Sequence, residues 1–415
     1  MPKSSRATPS ANSCRAYDSA PETGSGRLSD LLAIRSYRNH PVLPAVIAMV
    51  AATVFFLCRL EFFAHGNISR FIDVGRSFAN PYQVPRGVTV VPGGGYDGEF
   101  YYRLALDPAN LHRSAFGITF DTAFRLQRIT YSVLSWIFAG GRQGLIPVTL
   151  VAVNVLGLGV LGWLGGVVAK DARRPAIYGL LIVGYFGFLF SLGRDLTEIC
   201  AASFLLAGLV ALRRDRTIVA GLLLAAAALS RETALAFAVA VAVMSVVEIV
   251  RKQRPPGRRD AAWILPGVVF VSWQVICRTV YGVFPIRADA GDNLGPPFKA
   301  MFGAIGHFFA TLPNIHSVIW IGELIVLATV AVIAGMQFAR ATARSWERLA
   351  WVIACVVAVC LAPGIWRGEA DFRGFEDLYV LSMVLIVGSR RRLKVPIALI
   401  AIAWAVTFVH RSLYF

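Results

Sequence analysis

Long apolar runs constrain this chain more than any other feature. From Pro41 onward, stretches of roughly 16 to 25 apolar residues follow one another, and a helix needs about 20 residues to cross ~30 Å of hydrocarbon. Charged residues make up 16% of the 415 positions, against about 25% in soluble domains. Short alternating segments, the mark of a membrane β-barrel, are absent from the sequence. The pattern predicts an all-α fold, a polytopic transmembrane helix bundle. Helices are expected over 41–60, 143–169, 176–193, 196–212, 217–230, 233–250, 261–281, 315–338, 347–365, 374–389 and 394–410, about eleven spans. Residues 1–40 are polar and read as a disordered cytoplasmic tail. Residues 41–415 form the transmembrane domain, interrupted by a long first loop at 61–142 and a second at 282–314.

The formal net charge of +17 is informative through its placement, because cytoplasmic loops collect Lys and Arg. Residues 129–140 (ITYSVLSWIFAG) form an apolar segment of only about a dozen residues, roughly 18 Å of helix. If that segment is interfacial or re-entrant, the turns on the side of the N-terminus are 170–175, 213–216, 251–260, 339–346 and 390–393. They read KDARRP, RRDR, RKQRPPGRRD, ARATARSW and RRRL, and every one is basic. If it crosses, all of them move outside. The first option puts the N-terminus in the cytoplasm and the C-terminus outside it. The basic clusters are then cytoplasmic flanks, and nucleic acid is not an expected partner.

The opposite turns mix acids with arginines: GRDLTE at 193–198, SRET at 230–233 and WRGEADFRGFED at 366–377. Charge near a membrane helix is expensive and marks function, so one polar cavity is expected on that side. The densest stretch is GGGYDGEFYYRLALDP, Gly93 to Pro108. Its glycines permit a tight fold. Asp97 or Glu99 suits either a helix N-terminus or a general base. A helix is expected from Glu99 to Leu106, ended by Asp107-Pro108. Tyr96, Phe100, Tyr101 and Tyr102 suit either headgroup anchoring or sugar stacking. Arg125 and Arg128 suit a lipid phosphate. Asp195 and Glu198 are three apart, as neighbours on one helix face would be. Six scattered histidines, with no HExxH, imply no metal site. Six cysteines, mostly inside apolar runs, read as core residues.

These motifs together resemble a family of bacterial multi-pass proteins, the cell-surface glycopolymer formation proteins. GGGYDGEFYYRLALDP after a first membrane helix, then RLQRITYSVLSW, GRDLTE and SRET, carry the likeness. Such proteins look like GT-C type glycosyltransferases. The resemblance implies an inverting transferase in the cell membrane. It implies a polyprenyl-phosphate sugar donor, a glycan or lipid acceptor, and no cofactor or divalent metal. Asp97 would be the essential acid of the first extracytoplasmic loop, with Glu99 as the other candidate. Arg125, Arg128, Arg194, Arg231 and Arg373 are the candidate phosphate ligands. Tyr96, Tyr101, Tyr102, Asp195, Glu198, Glu232 and Asp371 are the candidate cavity residues. A flippase for lipid-linked sugars, or a non-catalytic scaffold for envelope assembly, would also want an outer polar cavity.

Overall fold

The computed structural model of the chain describes residues 39–288, 293–367, 372–389 and 392–414. All but the last two residues of the expected tail 1–40, and the candidate Asp371, lie outside them. The fold is mostly helical. In chain order the α-helices are α1 Val42–Phe62, α2 Gly98–Leu106, α3 Thr130–Phe138 and α4 Ile146–Asp171. Next come α5 Leu180–Val183, α6 Gly187–Gly193, α7 Glu198–Arg213, α8 Thr217–Ser230, α9 Leu235–Val250 and α10 Ala261–Tyr281. The last are α11 Pro285–Ala288, α12 Lys299–Ala310, α13 Ile315–Gln337, α14 Ser345–Cys360, α15 Pro363–Trp366, α16 Glu376–Val387 and α17 Lys394–Leu413. Apart from an isolated bridge between Leu294 and Leu361, the strands among the described residues lie in the first long loop. There Val74–Gly75 pairs in parallel with Val90–Val91, and Ser114–Ala115 pairs antiparallel with Ile118–Thr119.

Among the described residues, six helices are long and apolar enough to cross a membrane, or seven if one bent pair counts as a span. The expected helix 176–193 is that bent pair. Its two halves, Ala176–Val183 and Gly187–Gly193, meet at 66°. Four further expected segments are shorter than a hydrocarbon core: α7 and α14 have 16 residues each, α8 has 14 and α16 has 12. Burial explains two of them. Every residue of α16 but one is buried, and α7 is buried along most of its length. A helix apolar all round and enclosed by protein is a core element, and its length need not match the lipid. The longer helices expose apolar side chains along one side, Val46, Val50 and Val54 on α1 and Val268, Val271 and Val275 on α10. α1 packs along α4, α7 along α8, and α8 along α10. Small residues permit this: a Cβ on Gly162 would lie 2.6 Å from the Pro44 carbonyl oxygen, so the two backbones touch.

Two expectations need correction. The second long loop is not loop throughout, because α12 occupies Lys299–Ala310. The aromatic helix 98–106 does not lie at a headgroup surface. All nine of its residues are buried, so Phe100, Tyr101 and Tyr102 serve as core. α3, nine residues long, packs between α2, α4 and α8.

The turns sort to two ends. Thr217 donates to the Arg258 carbonyl, Arg344 to the Leu212 and Arg213 carbonyls, and Arg174 to those of Val387 and Ser389. These contacts gather the basic turns 170–175, 213–216, 251–260 and 339–346, with the end of α16, at one end of the bundle. The first long loop, with the turns at 193–198, 230–233 and 372–376, gathers at the other.

Candidate functional site

The glycine run positions the acids by letting backbones meet. Gly95 sits at φ +63, and a Cβ there would meet the Asp73 carbonyl oxygen at 2.5 Å. A Cβ on Gly98 would lie 2.5 Å from the Arg194 carbonyl oxygen and 2.7 Å from that of Ile72. Only glycine lets the start of α2 dock here. Asp97 therefore sits at the first turn of α2, wedged against the loop that follows α6.

From Asp97 an unbroken chain of alternating charges runs in both directions. Arg125 bridges Asp121 at 2.7 Å and Asp97 at 2.8 Å. The other Asp97 oxygen takes Arg373 at 2.6 Å, which in turn lies 3.4 Å from Glu198. Glu198 accepts from Arg231 at 2.6 Å, and Arg231 lies 2.9 Å from Glu376. Four carboxylates and three guanidiniums thus connect the first loop, the starts of α7 and α16, the α8–α9 turn and the turn at 373–375. Arg373 and Asp97 are separated by 276 residues in sequence. Two further pairs flank the chain. Arg128 grips Glu232 through both oxygens, at 2.7 and 3.0 Å, and lies 3.4 Å from the Tyr101 hydroxyl. Arg194 pairs with Asp73. Tyr96 lies between Arg194 and Arg373, whose guanidinium carbons are 5.2 and 4.9 Å from its ring centre, in cation–π range.

The two acids of the DGE motif face different surroundings. Burial opposes charge on Asp97, but Arg125 and Arg373 outweigh it and hold the carboxyl well below the usual carboxylate range. Glu99 turns away. One of its oxygens accepts from the Gly75 N–H at 2.9 Å, and the other is buried without a hydrogen-bond partner. Burial, with Asp73 nearby, pushes its carboxyl up to about 8 against the pull of the Gly75 N–H. Glu99 is thus largely protonated at neutral pH while Asp97 is anionic.

All five candidate phosphate arginines lie at this end, and each faces a carboxylate. Of the candidate cavity residues, Tyr96, Tyr101, Glu198 and Glu232 touch the charged groups. Tyr102 is buried in the apolar cluster with Leu104, Phe120 and Leu126. Asp195 departs from the helical reading. It precedes α7 with φ +50, so it shares no helix face with Glu198, and both its oxygens are buried without hydrogen-bond partners. Burial pushes its carboxyl far up. The sequence candidates leave out Asp73, Asp121 and Glu376. The four-residue spacing of Asp121 and Arg125 was a usable signal for one of these.

Comparison of the chain with family models, curated proteins and solved structures returns no match.

Beside the ion chain, Asp121 lines a cavity of about 620 Å³ together with Arg113, Arg278, Tyr281 and Arg287. Arg113, Arg278 and Arg287 are exposed and form no ion pair among the described residues. The cavity therefore offers positive charge that no carboxylate neutralises except Asp121, which Arg125 already holds.

Proposed function

We propose that this chain is an inverting membrane glycosyltransferase of the GT-C type, moving a sugar from a polyprenyl-phosphate donor to a cell-envelope glycan or lipid. Eleven passes are inferred, with the N-terminus in the cytoplasm and the ion chain on the extracytoplasmic side of the cell membrane. The observation that carries this reading is Asp97, a carboxylate clasped by two arginines at the end opposite the basic turns. Buried ion chains of this kind are expensive to desolvate and concentrate at functional sites.

A carboxylate so strongly paired is a weak base, and general-base catalysis favours a pKa near the working pH. The geometry offers a remedy. The donor phosphate, drawn to the arginine-lined cavity, competes with Asp97 for Arg125 and Arg373. As those guanidiniums turn to the phosphate, Asp97 loses the charges that suppress its basicity. It then takes the proton of the acceptor hydroxyl as that oxygen attacks the anomeric carbon. The bond from the anomeric carbon to the phosphate oxygen breaks, its electron pair leaves with the lipid phosphate, and the arginines stabilise the growing charge. Donor binding would thereby switch on the base. Glu99, protonated and turned to Gly75, would hold the loop in place.

The test is to incubate the purified protein with a panel of labelled polyprenyl-phosphate sugars and an envelope-lipid extract, wild type against Asp97→Asn. Transfer by the wild type that is lost in the variant supports the proposal. Absence of transfer and hydrolysis with every donor contradicts it. The bend at 184–186 favours a second reading, because broken helices recur in transporters. A flippase would move lipid-linked sugar across vesicles equally well with Asp97→Asn.

A further inference from the structure

A second cavity, about 1150 Å³, lies at the opposite end of the bundle from the ion chain. Its lining includes both halves of the bent pair Ala176–Val183 and Gly187–Gly193, which meet at 66°. The walls are apolar, formed by Ala48, Ala51, Leu181, Gly184, Ile400 and Trp404. The mouth is basic. Lys170, Arg173 and Arg174 line it, with Asn39 at the point where the described chain begins. Arg174 is committed to the Val387 and Ser389 carbonyls. Lys170 and Arg173 are exposed and form no ion pair among the described residues. The nearest acid in sequence, Asp171, does not line the groove; it lies 3.7 Å from Arg214 and 3.9 Å from Arg213.

We propose that this groove is a binding site for one anionic phospholipid of the leaflet on the basic side. The acyl chains run along the apolar walls, and the headgroup phosphate sits between Lys170 and Arg173. An apolar groove open to a bilayer fills with lipid chains, and the cations at its mouth select the headgroup. Its volume exceeds the ~300–1,000 Å³ of typical small-molecule pockets, as a lipid's chains require. The N-terminal segment does not complement this mouth. Residues 1–38 carry six basic residues (Lys3, Arg6, Arg15, Arg27, Arg35 and Arg38) against three acids (Asp18, Glu22 and Asp30). The site is separate from the transfer chemistry and stands whether or not that reading holds.

The experiment titrates the full-length purified protein, in detergent, with phosphatidylglycerol or phosphatidylcholine and reads bound lipid by native mass spectrometry. The wild type should prefer phosphatidylglycerol. The double variant Lys170→Gln/Arg173→Gln, altered only at exposed positions, should lose roughly 30-fold in affinity for it. That follows from about 1 kcal/mol for each cation near an anionic headgroup. Ala51→Phe, which fills the groove, should weaken both lipids. Equal binding of the two lipids by the wild type would overturn the proposal. So would a double variant that keeps the preference, or an Ala51→Phe variant that binds as the wild type does.

Discussion

The two ends of the bundle use the same residue types for different purposes. At the basic end, arginines finish helices. Arg344 donates to the Leu212 and Arg213 carbonyls, and Arg174 to those of Val387 and Ser389, the arrangement that a helix C-terminus favours. Its ion pairs make a shorter and looser series: Glu347 takes Arg213 at 2.6 Å, while Asp171 lies 3.9 Å from Arg213 and 3.7 Å from Arg214. At the other end the series is longer and mostly tighter. Asp97 is shared by two arginines, and so is Glu198, so the charges form one connected chain drawn from five parts of the sequence. A shared chain leaves each guanidinium a choice of partners, and under the proposed function a substrate anion exploits that choice.

The largest expected effect breaks the acid end alone. Asp97→Asn should reduce sugar transfer per folded molecule by about 10²- to 10⁴-fold, the range of general-base assistance. Glu347→Gln at the basic end should leave turnover per folded molecule unchanged while lowering stability. Equal losses of turnover from both would erase the contrast.

The next effect concerns stability. Arg231→Met leaves Glu198 and Glu376 without their nearest cation, and stranding a buried charge costs roughly 3–5 kcal/mol. Arg213→Met strands Glu347 at a similar cost in denaturation experiments. Only the Arg231 change should also abolish transfer by the surviving folded fraction.

The smallest effect is a pH dependence confined to the acid end. The Glu99 carboxyl is raised from 4.5 to about 8, so the folded chain keeps a proton that the unfolded chain has released. Folded-state stability from this group is fully present below about 4.5 and falls as pH rises toward about 8. Glu99→Gln should flatten that slope in thermal unfolding followed across the window. An unchanged slope would remove Glu99 from the account.

Much of this was legible in the chain. Hydropathy located the long helices to within a few residues, and the basic turns do lie together at one end. The positions of the acids and arginines marked the other end correctly, because charge that near an apolar run has few places to go. Four things were not legible. The bend at 184–186 follows from packing against α1 and α17, since nothing in the run IVGYFG breaks a helix outright. α12 was hidden because KAMFGAIGHFFA is short and interrupted by glycines. The aromatics after Glu99 have the same composition whether they face headgroups or core, and only the tertiary fold places them inside. The pairing of Arg373 with Asp97 links positions too distant for any local pattern to reveal.

The account rests on the acid end and the basic end facing opposite sides of the membrane, with the acids away from the cytosol. Single cysteines placed at Tyr82, which is 97% exposed in the first loop, and at Gln253, exposed in the turn 251–260, test this directly in a background lacking native cysteines. A membrane-impermeant maleimide applied to intact cells should label Tyr82→Cys, and should reach Gln253→Cys only after permeabilisation. Labelling of Gln253→Cys on intact cells, with Tyr82→Cys protected, would contradict it.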